Sequence, residues 1–320
     1  MDMSDIKWGI IGCGDVTEVK SGPALQKTPG SHLSMVMRRD VEKAKDYALR
    51  HGVPRWSGDA QALISDDRLD AIYIATPPSS HLDYALQALE AGKHVLLEKP
   101  MARDVAECEA LIDAVARTGG KLSVAYYRRA LPRFEKLREI IHDGSIGTPL
   151  MVEVRQFRKV MGGAAQTWKT DPAVGGGGYF ADMQTHTLDW LTYVFGMPRT
   201  VSGWRTPPPS SGLSEDAVSF QITFDTVQAT GLCYYKAQKD AESVIIHGTE
   251  GSAEMGFFRP SPIKLRRKGA AEQLDFPDPA HVHGPLIERV LTYFRDEGPN
   301  PCPANEAIAA NQIMAQVLGG

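Results

Sequence analysis

A glycine-rich turn follows the first apolar run of the chain and strongly limits the folds open to it. The run Trp8–Ile11 leads directly into a turn in which Thr17 stands where a Gly-x-Gly-x-x-Gly pattern has its third glycine. Gly12 permits the tight turn, and Gly14 lets the backbone approach a pyrophosphate at a helix N-terminus. The turn therefore predicts dinucleotide binding, although an ordinary glycine turn stays open. The expected cofactor contacts here are Gly12, Cys13, Gly14, Asp15 and Val16.

The rest of the first 126 residues alternates short apolar runs with amphipathic segments. The segment Ala102–Thr118, for example, repeats apolar residues at spacings of three and four. Strands that alternate with helices indicate a parallel sheet covered on both faces. We therefore expect a doubly wound Rossmann domain over residues 1–126. Its further strands are expected at Leu33–Met37, Ala71–Ala75, Val95–Leu97 and Leu122–Ala125.

The pattern changes in the second part of the chain. A total of 320 residues exceeds the usual size of one domain, which is roughly 100–200 residues. Most of the runs rich in β-formers lack helices between them, which favours antiparallel pairing. We expect an α+β domain over residues 127–320 with a large, mostly antiparallel sheet. Its strands are expected to include Met151–Phe157, Val218–Phe224, Thr230–Tyr235 and Ser243–His247.

Composition excludes several classes of protein. A net charge of −4 gives no basic excess for a nucleic-acid backbone. No apolar stretch approaches the roughly 20 residues of a membrane span, and the acidic start Met1–Asp5 lacks a signal-peptide pattern. The cysteines stand far apart, so neither a metal site nor a disulfide framework is indicated. They are Cys13, Cys108, Cys233 and Cys302. We expect a soluble, cytoplasmic protein that binds neither nucleic acid nor membranes.

The second expected strand ends in two basic residues, Arg38 and Arg39. An acidic residue at this point binds the 2′-hydroxyl of NAD, whereas an arginine pairs with the 2′-phosphate of NADP and stacks on adenine. The sequence therefore favours NADP. Asp40 is an alternative partner of the ribose, so NAD stays open.

Two further strand ends carry motifs, and ligands of open α/β sheets bind beyond such ends. One is Ala75–Pro78, followed by His81, and the other is Glu98–Pro100. Together with the glycine turn and the segment from Gly175 to His186, they resemble the Gfo/Idh/MocA family of oxidoreductases, which includes glucose-fructose oxidoreductase and inositol dehydrogenases. The resemblance covers nearly the whole chain. It implies an open-faced sheet in the second domain, a homodimer or homotetramer, and cofactor contacts at Thr76, Pro77, Pro78, His81, Glu98 and Lys99.

The resemblance also implies that Lys99 lies near both the nicotinamide and the substrate. Pro100 restricts Lys99 to extended backbone angles, and in the family this peptide bond is typically cis. Held in this way, the ammonium group can hydrogen-bond the reacting oxygen and stabilise its developing charge. The alternative is an ordinary solvated lysine.

Asp182, His186 and Asp189 line one stripe of the helix expected to begin near Ala181. Hydride transfer at an alcohol carbon also moves a proton, and histidine suits that task at neutral pH. The resemblance gives this role to His186, with Asp182 binding a substrate hydroxyl or orienting His186. The alternative is a buried histidine satisfied by Asp182. The preceding glycines, Gly175–Gly178, are expected to let the backbone approach a substrate ring.

Tyr127, Arg155 and Trp168 complete the expected substrate pocket, Trp168 because an aromatic side chain can pack against a sugar ring. Lys169, Asp171 and His283 are further candidates. The expected activity is NADP-dependent hydride transfer between nicotinamide and a secondary alcohol or ketone carbon of a sugar, a polyol or a related compound. The alternatives are a sensor or co-repressor that binds NAD(P) without turnover, and an NAD-dependent glycosidase.

Overall fold

The computed structural model describes residues 5–159 and 168–319, so most of the acidic segment Met1–Asp5 lies outside the described residues. The strands are β1 (Ile6–Ile11), β2 (Ser31–Met37), β3 (Arg55–Ser57), β4 (Ala71–Ile74), β5 (His94–Leu97), β6 (Leu122–Val124), β7 (Pro149–Lys159), β8 (Thr200–Thr206), β9 (Ala217–Thr223), β10 (Gln228–Ala237), β11 (Ala241–Gly248), β12 (Gly251–Met255), β13 (Ile263–Arg267) and β14 (Ala270–Leu274). The helices are α1 (Asp15–Val19), α2 (Ser21–Lys27), α3 (Val41–His51), α4 (Gln61–Ile64), α5 (His81–Glu90), α6 (Val105–Thr118), α7 (Pro132–His142), α8 (Pro172–Gly175), α9 (Tyr179–Phe195), α10 (Gly284–Phe294) and α11 (Ala304–Gly319).

The chain divides into two compact units. The first consists of Met1–Ala130 and Pro279–Ile308, and the second of Leu131–Asp278 and Ala309–Gly320. The domain boundary expected after residue 126 stays a prediction.

The first unit contains the parallel sheet expected from the alternating pattern. Its six strands lie in the order β3-β2-β1-β4-β5-β6, which is the order of a Rossmann fold. All residues of β4 are buried, because helices cover both faces of such a sheet. Asp40 and Asp104 cap the starts of α3 and α6 with their side chains. The predicted doubly wound fold is confirmed.

The second unit contains an eight-stranded sheet in the order β14-β13-β12-β11-β7-β10-β9-β8. The central strand β7 pairs in parallel with β10, and the other neighbours pair in antiparallel fashion. One face packs against α9, where Gln184 donates a hydrogen bond to Gln156 of β7. Alternate residues of β10 point to the other face, where the side chains of Leu232 and Tyr234 are exposed. The prediction of a mostly antiparallel, open-faced sheet is confirmed.

The structure bears on the expectations about membrane spans, metal sites and cysteines. Within residues 5–159 and 168–319, no helix is both long and apolar enough to cross a membrane. The same residues contain no group of three or more histidine, cysteine or acidic side chains that could hold a metal ion. All four cysteines are buried.

Candidate active site

The glycine turn connects the carboxyl ends of three neighbouring strands of the first sheet. Gly12 follows β1 with a φ of +93°, and its amide donates to the carbonyl oxygen of Met37 at the end of β2, at 2.9 Å. A Cβ atom on Gly12 would lie 2.9 Å from the backbone nitrogen of Thr76, which follows β4. Both the backbone angle and the close approach require glycine here.

Thr17 closes the turn at the position where the pattern usually has its third glycine. Its buried hydroxyl accepts a hydrogen bond from the amide of Gly14 at 3.0 Å and donates to the carbonyl oxygen of Gly14 at 2.8 Å. The Tyr47 hydroxyl donates to the carbonyl oxygen of Thr17 at 2.9 Å. The same tyrosine packs closely against Gly22, where a Cβ atom would lie 2.3 Å from the Tyr47 oxygen. Sequence reasoning identified neither Tyr47 nor Gly22.

The backbone at Gly14 is open, as a dinucleotide site requires. A Cβ atom on Gly14 would meet only the carbonyl oxygen of Gly12, at 3.9 Å, so this backbone has the room that a pyrophosphate needs. The expected contact of Cys13 with a cofactor stays a prediction. The Cys13 amide donates to Met37 at 3.0 Å, and burial raises the pKa of the Cys13 thiol to about 11. Asp15 is exposed and Val16 is half-buried.

The end of β2 places a cation rather than a carboxylate beside the turn. Arg38 is exposed, and its Nη1 donates to the carbonyl oxygen of Cys13 at 3.4 Å. Asp40 instead caps α3, accepting from the backbone amide of Lys43 at 3.2 Å and pairing with the Lys43 ammonium at 3.2 Å. These contacts with Lys43 lower the pKa of the Asp40 carboxyl, and the alternative contact of Asp40 with the ribose stays a prediction. Arg39 is exposed.

His81 lies between the residues that follow β4 and β5. Its Nε2 lies 2.9 Å from the carbonyl oxygen of Thr76, and its Nδ1 lies 3.1 Å from that of Pro100. The ring is fully buried, and burial lowers its pKa. A neutral imidazole has one N–H, so His81 donates to one of these carbonyl oxygens, and a direct contact of His81 with a cofactor stays a prediction. Thr76 and Pro77 are half-buried, whereas Pro78 is buried.

Lys99 follows β5, and a neighbouring carboxylate holds its backbone. The side chain is half-buried, the Lys99–Pro100 peptide bond is cis, and the Lys99 amide donates to Glu98 Oε2 at 3.2 Å. Glu98 is buried and also contacts the Tyr73 hydroxyl and, at 3.3 Å, His283 Nε2. Burial raises the pKa of Glu98, but the hydrogen bond and charge of His283, together with the charge of Lys99, lower it to about 2. Glu98 is therefore ionised at neutral pH.

Tyr127 lies in the same part of the first unit as Glu98. It is buried, and its ring stacks on that of His283 with 4.5 Å between the centroids. His283 belongs to the segment Pro279–Ile308, which the sequence could not place beside Glu98. The predicted contact of Tyr127 with the substrate stays a prediction.

Helix α9 of the second unit carries the other candidate groups. His186 and Asp189 are buried, and Asp182 is half-buried. Lys169 Nζ lies 3.1 Å from Asp182 Oδ2 and 5.4 Å from the centroid of the exposed Trp168 ring. The structure therefore brings together three residues that the sequence proposed separately.

The last of the glycines before α9 packs closely within the protein, and the expected approach of Gly175–Gly178 to a substrate ring stays a prediction. A Cβ atom on Gly178 would lie 2.6 Å from Ser214 Cβ and 2.8 Å from Glu215 Oε1, so this position allows close packing within the protein. The buried Glu215 accepts hydrogen bonds from the backbone amides of Gly178 and Phe180. Sequence reasoning missed Glu215. A signal in the sequence was that glycines, rather than a residue with a capping side chain, precede this long helix, so that a more distant group has to cap it.

Arg155 is not brought to Asp182 and His186 by the structure. It is exposed on β7, and its guanidinium lies 4.6 Å from the centroid of the Phe157 ring. The adjacent Gln156 points to the face that packs against α9, so Arg155 points to the opposite, open face of the sheet.

Comparisons with known proteins identify both halves of the chain. Residues 6–126 match the oxidoreductase family with an NAD-binding Rossmann fold, and residues 134–254 match the GFO/IDH/MocA C-terminal domain. An oxidoreductase of Formosa agariphila is 40% identical over 321 residues, which cover 99% of each chain. A 1,5-anhydro-D-fructose reductase of Ensifer adhaerens is 28% identical over 77% of this chain and 74% of its own length.

A solved structure has the same fold. The 3-ketoreductase from Actinomadura kijaniata, in complex with NADP and TDP-benzene, has a TM-score of 0.86 at 21% identity, covering 99% of this chain and 98% of its own. The resemblance expected from the motifs and the expectation of an enzyme are both confirmed. The chain is an oxidoreductase with an NAD-binding Rossmann domain, and it belongs to the Gfo/Idh/MocA family.

Proposed function

We propose that this oxidoreductase transfers a hydride between the nicotinamide of NADP and a secondary alcohol or ketone carbon of a sugar, a polyol or a related compound. The observation that carries the proposal is the placement of Lys99. Lys99 follows β5, and only β4 lies between β5 and β1, the strand that leads into the glycine turn. The ionised, buried carboxylate of Glu98 accepts a hydrogen bond from the Lys99 amide. A cation held at this edge of the sheet suits a reacting oxygen on which negative charge develops.

Each candidate side chain has a distinct role in the proposed reaction. When bound, the nicotinamide supplies or accepts the hydride. Lys99 donates a hydrogen bond to the reacting oxygen, and His186 removes or returns the proton of the hydroxyl group. Asp182 binds a substrate hydroxyl or orients His186. Lys99 belongs to the first unit and His186 to the second.

The preference for NADP is supported by Arg38. A guanidinium forms strong hydrogen bonds with a phosphate, and Arg38 lies beside the glycine turn while Asp40 is engaged by Lys43. We expect Arg38→Ala to raise the Kd for NADP about 10- to 100-fold while changing that for NAD little. Quenching of protein fluorescence by each nucleotide measures both constants.

Arg68→Ala is the control for that experiment, since Arg68 is an exposed arginine of the same unit that pairs with Asp66. It should leave both nucleotide affinities unchanged. Equal or tighter binding of NAD by the unaltered chain would contradict the role of Arg38.

The sugar-like substrate is supported by the names of relatives, among them the 1,5-anhydro-D-fructose reductase. The test is the nicotinamide absorbance band, followed with NADP(H) or NAD(H) against a panel of sugars, polyols and their keto forms. Lys99→Met serves as the inactive control. Tight cofactor binding without any turnover would favour a sensor. Cofactor retained through purification, with no net reduced nucleotide after turnover, would favour a glycosidase.

A homodimer or homotetramer forms part of the same proposal. The open face of the second sheet exposes large apolar side chains, with Trp204 61% and Leu232 58% exposed. Exposed apolar groups on one face are typical of association surfaces. Light scattering of the purified chain measures the mass, and a monomer at micromolar concentration would contradict the expected assembly.

A further inference from the structure

We propose that Glu215 is a positioning residue for Asp182 and His186, and that it acts through the first turn of α9. This inference rests on the proposed function, which assigns those two side chains to the substrate. Glu215 itself is not assigned to the substrate or to the cofactor.

The start of α9 depends on a side chain that is distant in the sequence. The first amides of a helix lack partners within the helix, and a side chain at the cap position usually accepts from one of them. Here the cap residue is Gly178, which has no side chain. Glu215, 37 residues away, takes over that function. Its Oε1 accepts from Gly178 at 3.0 Å and from Phe180 at 2.6 Å, and its Oε2 lies 3.1 Å from the Gly178 nitrogen.

These hydrogen bonds lead directly to Asp182. The carbonyl oxygen of Gly178 accepts from the Asp182 amide at 3.0 Å, which is the first hydrogen bond of the helix. Glu215 therefore fixes Gly178, and the carbonyl oxygen of Gly178 in turn fixes the backbone of Asp182. His186 follows one turn later on the same stripe, so a change in the direction of the first turn moves both side chains.

The contact between Glu215 and Gly178 leaves little room for displacement. A Cβ atom on Gly178 would collide with Ser214 and Glu215, so the backbone and the carboxylate are already in close contact. Glu215 is only 1% exposed. Burial raises the pKa of its carboxyl, opposed by its hydrogen bonds with Phe180 and Gly178 and by the charge of Arg205. An exposed capping side chain would satisfy the same amides without the cost of desolvating a carboxylate. The burial of Glu215 therefore favours a role in orienting α9.

The loop that carries Glu215 is fixed on both sides. Arg205 Nε donates to the carbonyl oxygen of Pro207 at 2.9 Å, and its Nη2 donates to that of Leu213. The amide of Asp216 donates to Thr206 at 2.7 Å. Since the residues around Glu215 are held to β8, the carboxylate is a rigid reference point for α9.

The experiment compares Glu215→Ala and Glu215→Gln in the full chain. We expect Glu215→Ala to lower kcat about 10- to 100-fold, because small displacements of reacting groups have effects of that size. KM should rise, because Asp182 is displaced, whereas the Kd for NADP should change less than about twofold. Amide hydrogen exchange over residues 178–186 should become faster. Glu215→Gln keeps one oxygen for Gly178 and Phe180 and should show a smaller change of the same kind.

Asp104→Ala is the matched control, because Asp104 caps α6 of the first unit and accepts from the amide of Glu107 at 2.9 Å. It should lower Tm while leaving kcat, KM and hydrogen exchange over 178–186 unchanged. If Glu215→Ala lowers Tm in the same way, with kcat and KM unchanged below the transition, Glu215 is merely structural and the inference is overturned.

Two further outcomes separate this inference from the proposed function. If the unaltered chain turns over no substrate, the proposed function fails, but faster exchange over 178–186 in the variants still supports the hold of Glu215 on α9. If Glu215→Ala does not fold, Glu215→Gln decides. Unchanged kcat and unchanged exchange in that variant overturn the inference.

Discussion

The two units present their candidate groups in different ways, although a buried glutamate holds each of them. In the first unit, Glu98 accepts from the amide of Lys99, the next residue in the chain. In the second unit, Glu215 accepts from Gly178, which lies 37 residues earlier and begins the helix that carries Asp182. The first arrangement is local and depends on a strand end. The second depends on a loop that packs against a helix start.

The two glutamates also differ in their electrostatic surroundings. Glu98 lies beside His283 and Lys99, whose charges help to lower its pKa to about 2 in spite of burial. Glu215 faces mainly neutral backbone amides, so the effect of burial dominates and its pKa is raised. Burial alone therefore does not determine the direction of a shift, because the charge of the neighbouring groups decides it.

The largest expected effect comes from removing the candidate groups themselves. Lys99→Met and His186→Asn should each lower kcat about 10³-fold, since the first removes a hydrogen-bond donor to the reacting oxygen and the second removes the proton acceptor. Both should bind NADP nearly as tightly as the unaltered chain. Single-turnover absorbance at the nicotinamide band measures the hydride step.

Two control variants accompany that pair. Lys93 is buried before β5 and donates to the carbonyl oxygens of Asp66 and Leu69 at 2.9 and 2.8 Å, so Lys93→Met should lower Tm without lowering kcat. His247 is half-buried in the second unit, with its Nε2 2.8 Å from Glu153 Oε1, so His247→Asn should likewise leave kcat unchanged. Unaltered kcat in Lys99→Met or in His186→Asn would remove that residue from the proposed reaction.

A smaller effect is expected from one glycine in each unit. Gly12→Ala introduces a Cβ atom at a φ of +93°, 2.9 Å from Thr76 N, and should raise the Kd for NADP at least about tenfold. Gly178→Ala presses on Ser214 and Glu215 and should instead lower kcat about tenfold, with little change in the binding of NADP. Titration with NADP and steady-state kinetics distinguish the two.

Gly52→Ala is the control for both glycine variants. Gly52 ends α3 at a φ of +65° with open space around it, so the alanine has a backbone cost of about 1 kcal/mol and no collision. Loss of NADP binding in Gly178→Ala, or unaffected NADP binding in Gly12→Ala, would contradict the proposed roles of the glycine turn in cofactor binding and of α9 in substrate binding.

The smallest expected effect is on the pH dependence of stability. The pKa of Glu98 is lowered from 4.5 to about 2. Its contribution to the free energy of unfolding is therefore fully present above pH 4.5 and is lost as the pH falls toward 2. The free energy of unfolding falls between pH 7 and pH 3.5, and Glu98→Gln should make that fall smaller by about 1 kcal/mol. The raised pKa of Glu215 has the opposite effect on stability, because the folded state binds the proton more tightly than the unfolded state does. Its contribution declines as the pH rises above 4.5.

Thermal unfolding measured at intervals from pH 3.5 to pH 7 tests this difference. Glu98→Gln should flatten the acid limb of the Tm profile, whereas Glu215→Gln should steepen it. Parallel profiles for the two variants would show that their surroundings do not differ in the way the structure indicates.

Most of the fold could be predicted from the sequence, because its signals act over short distances. The glycine turn, the alternation of strands with helices and the β-rich second half each follow from spacing and backbone sterics. The candidate groups Lys99, Asp182 and His186 were recognised because each belongs to a short motif. Alternation along β7 predicts that Arg155 and Gln156 face opposite sides of the sheet, but it does not reveal which side α9 covers.

By itself, the sequence determined the two kinds of sheet, the glycine turn and the residue types that carry the proposed chemistry, because these depend on neighbours within a few positions. Only the tertiary structure decided which groups hold them in place. His283 meets Glu98 from 185 residues away, and Glu215 meets Gly178 from 37. Such contacts depend on burial and on the pairing of polar atoms across the fold, and no local pattern in the chain contains that information.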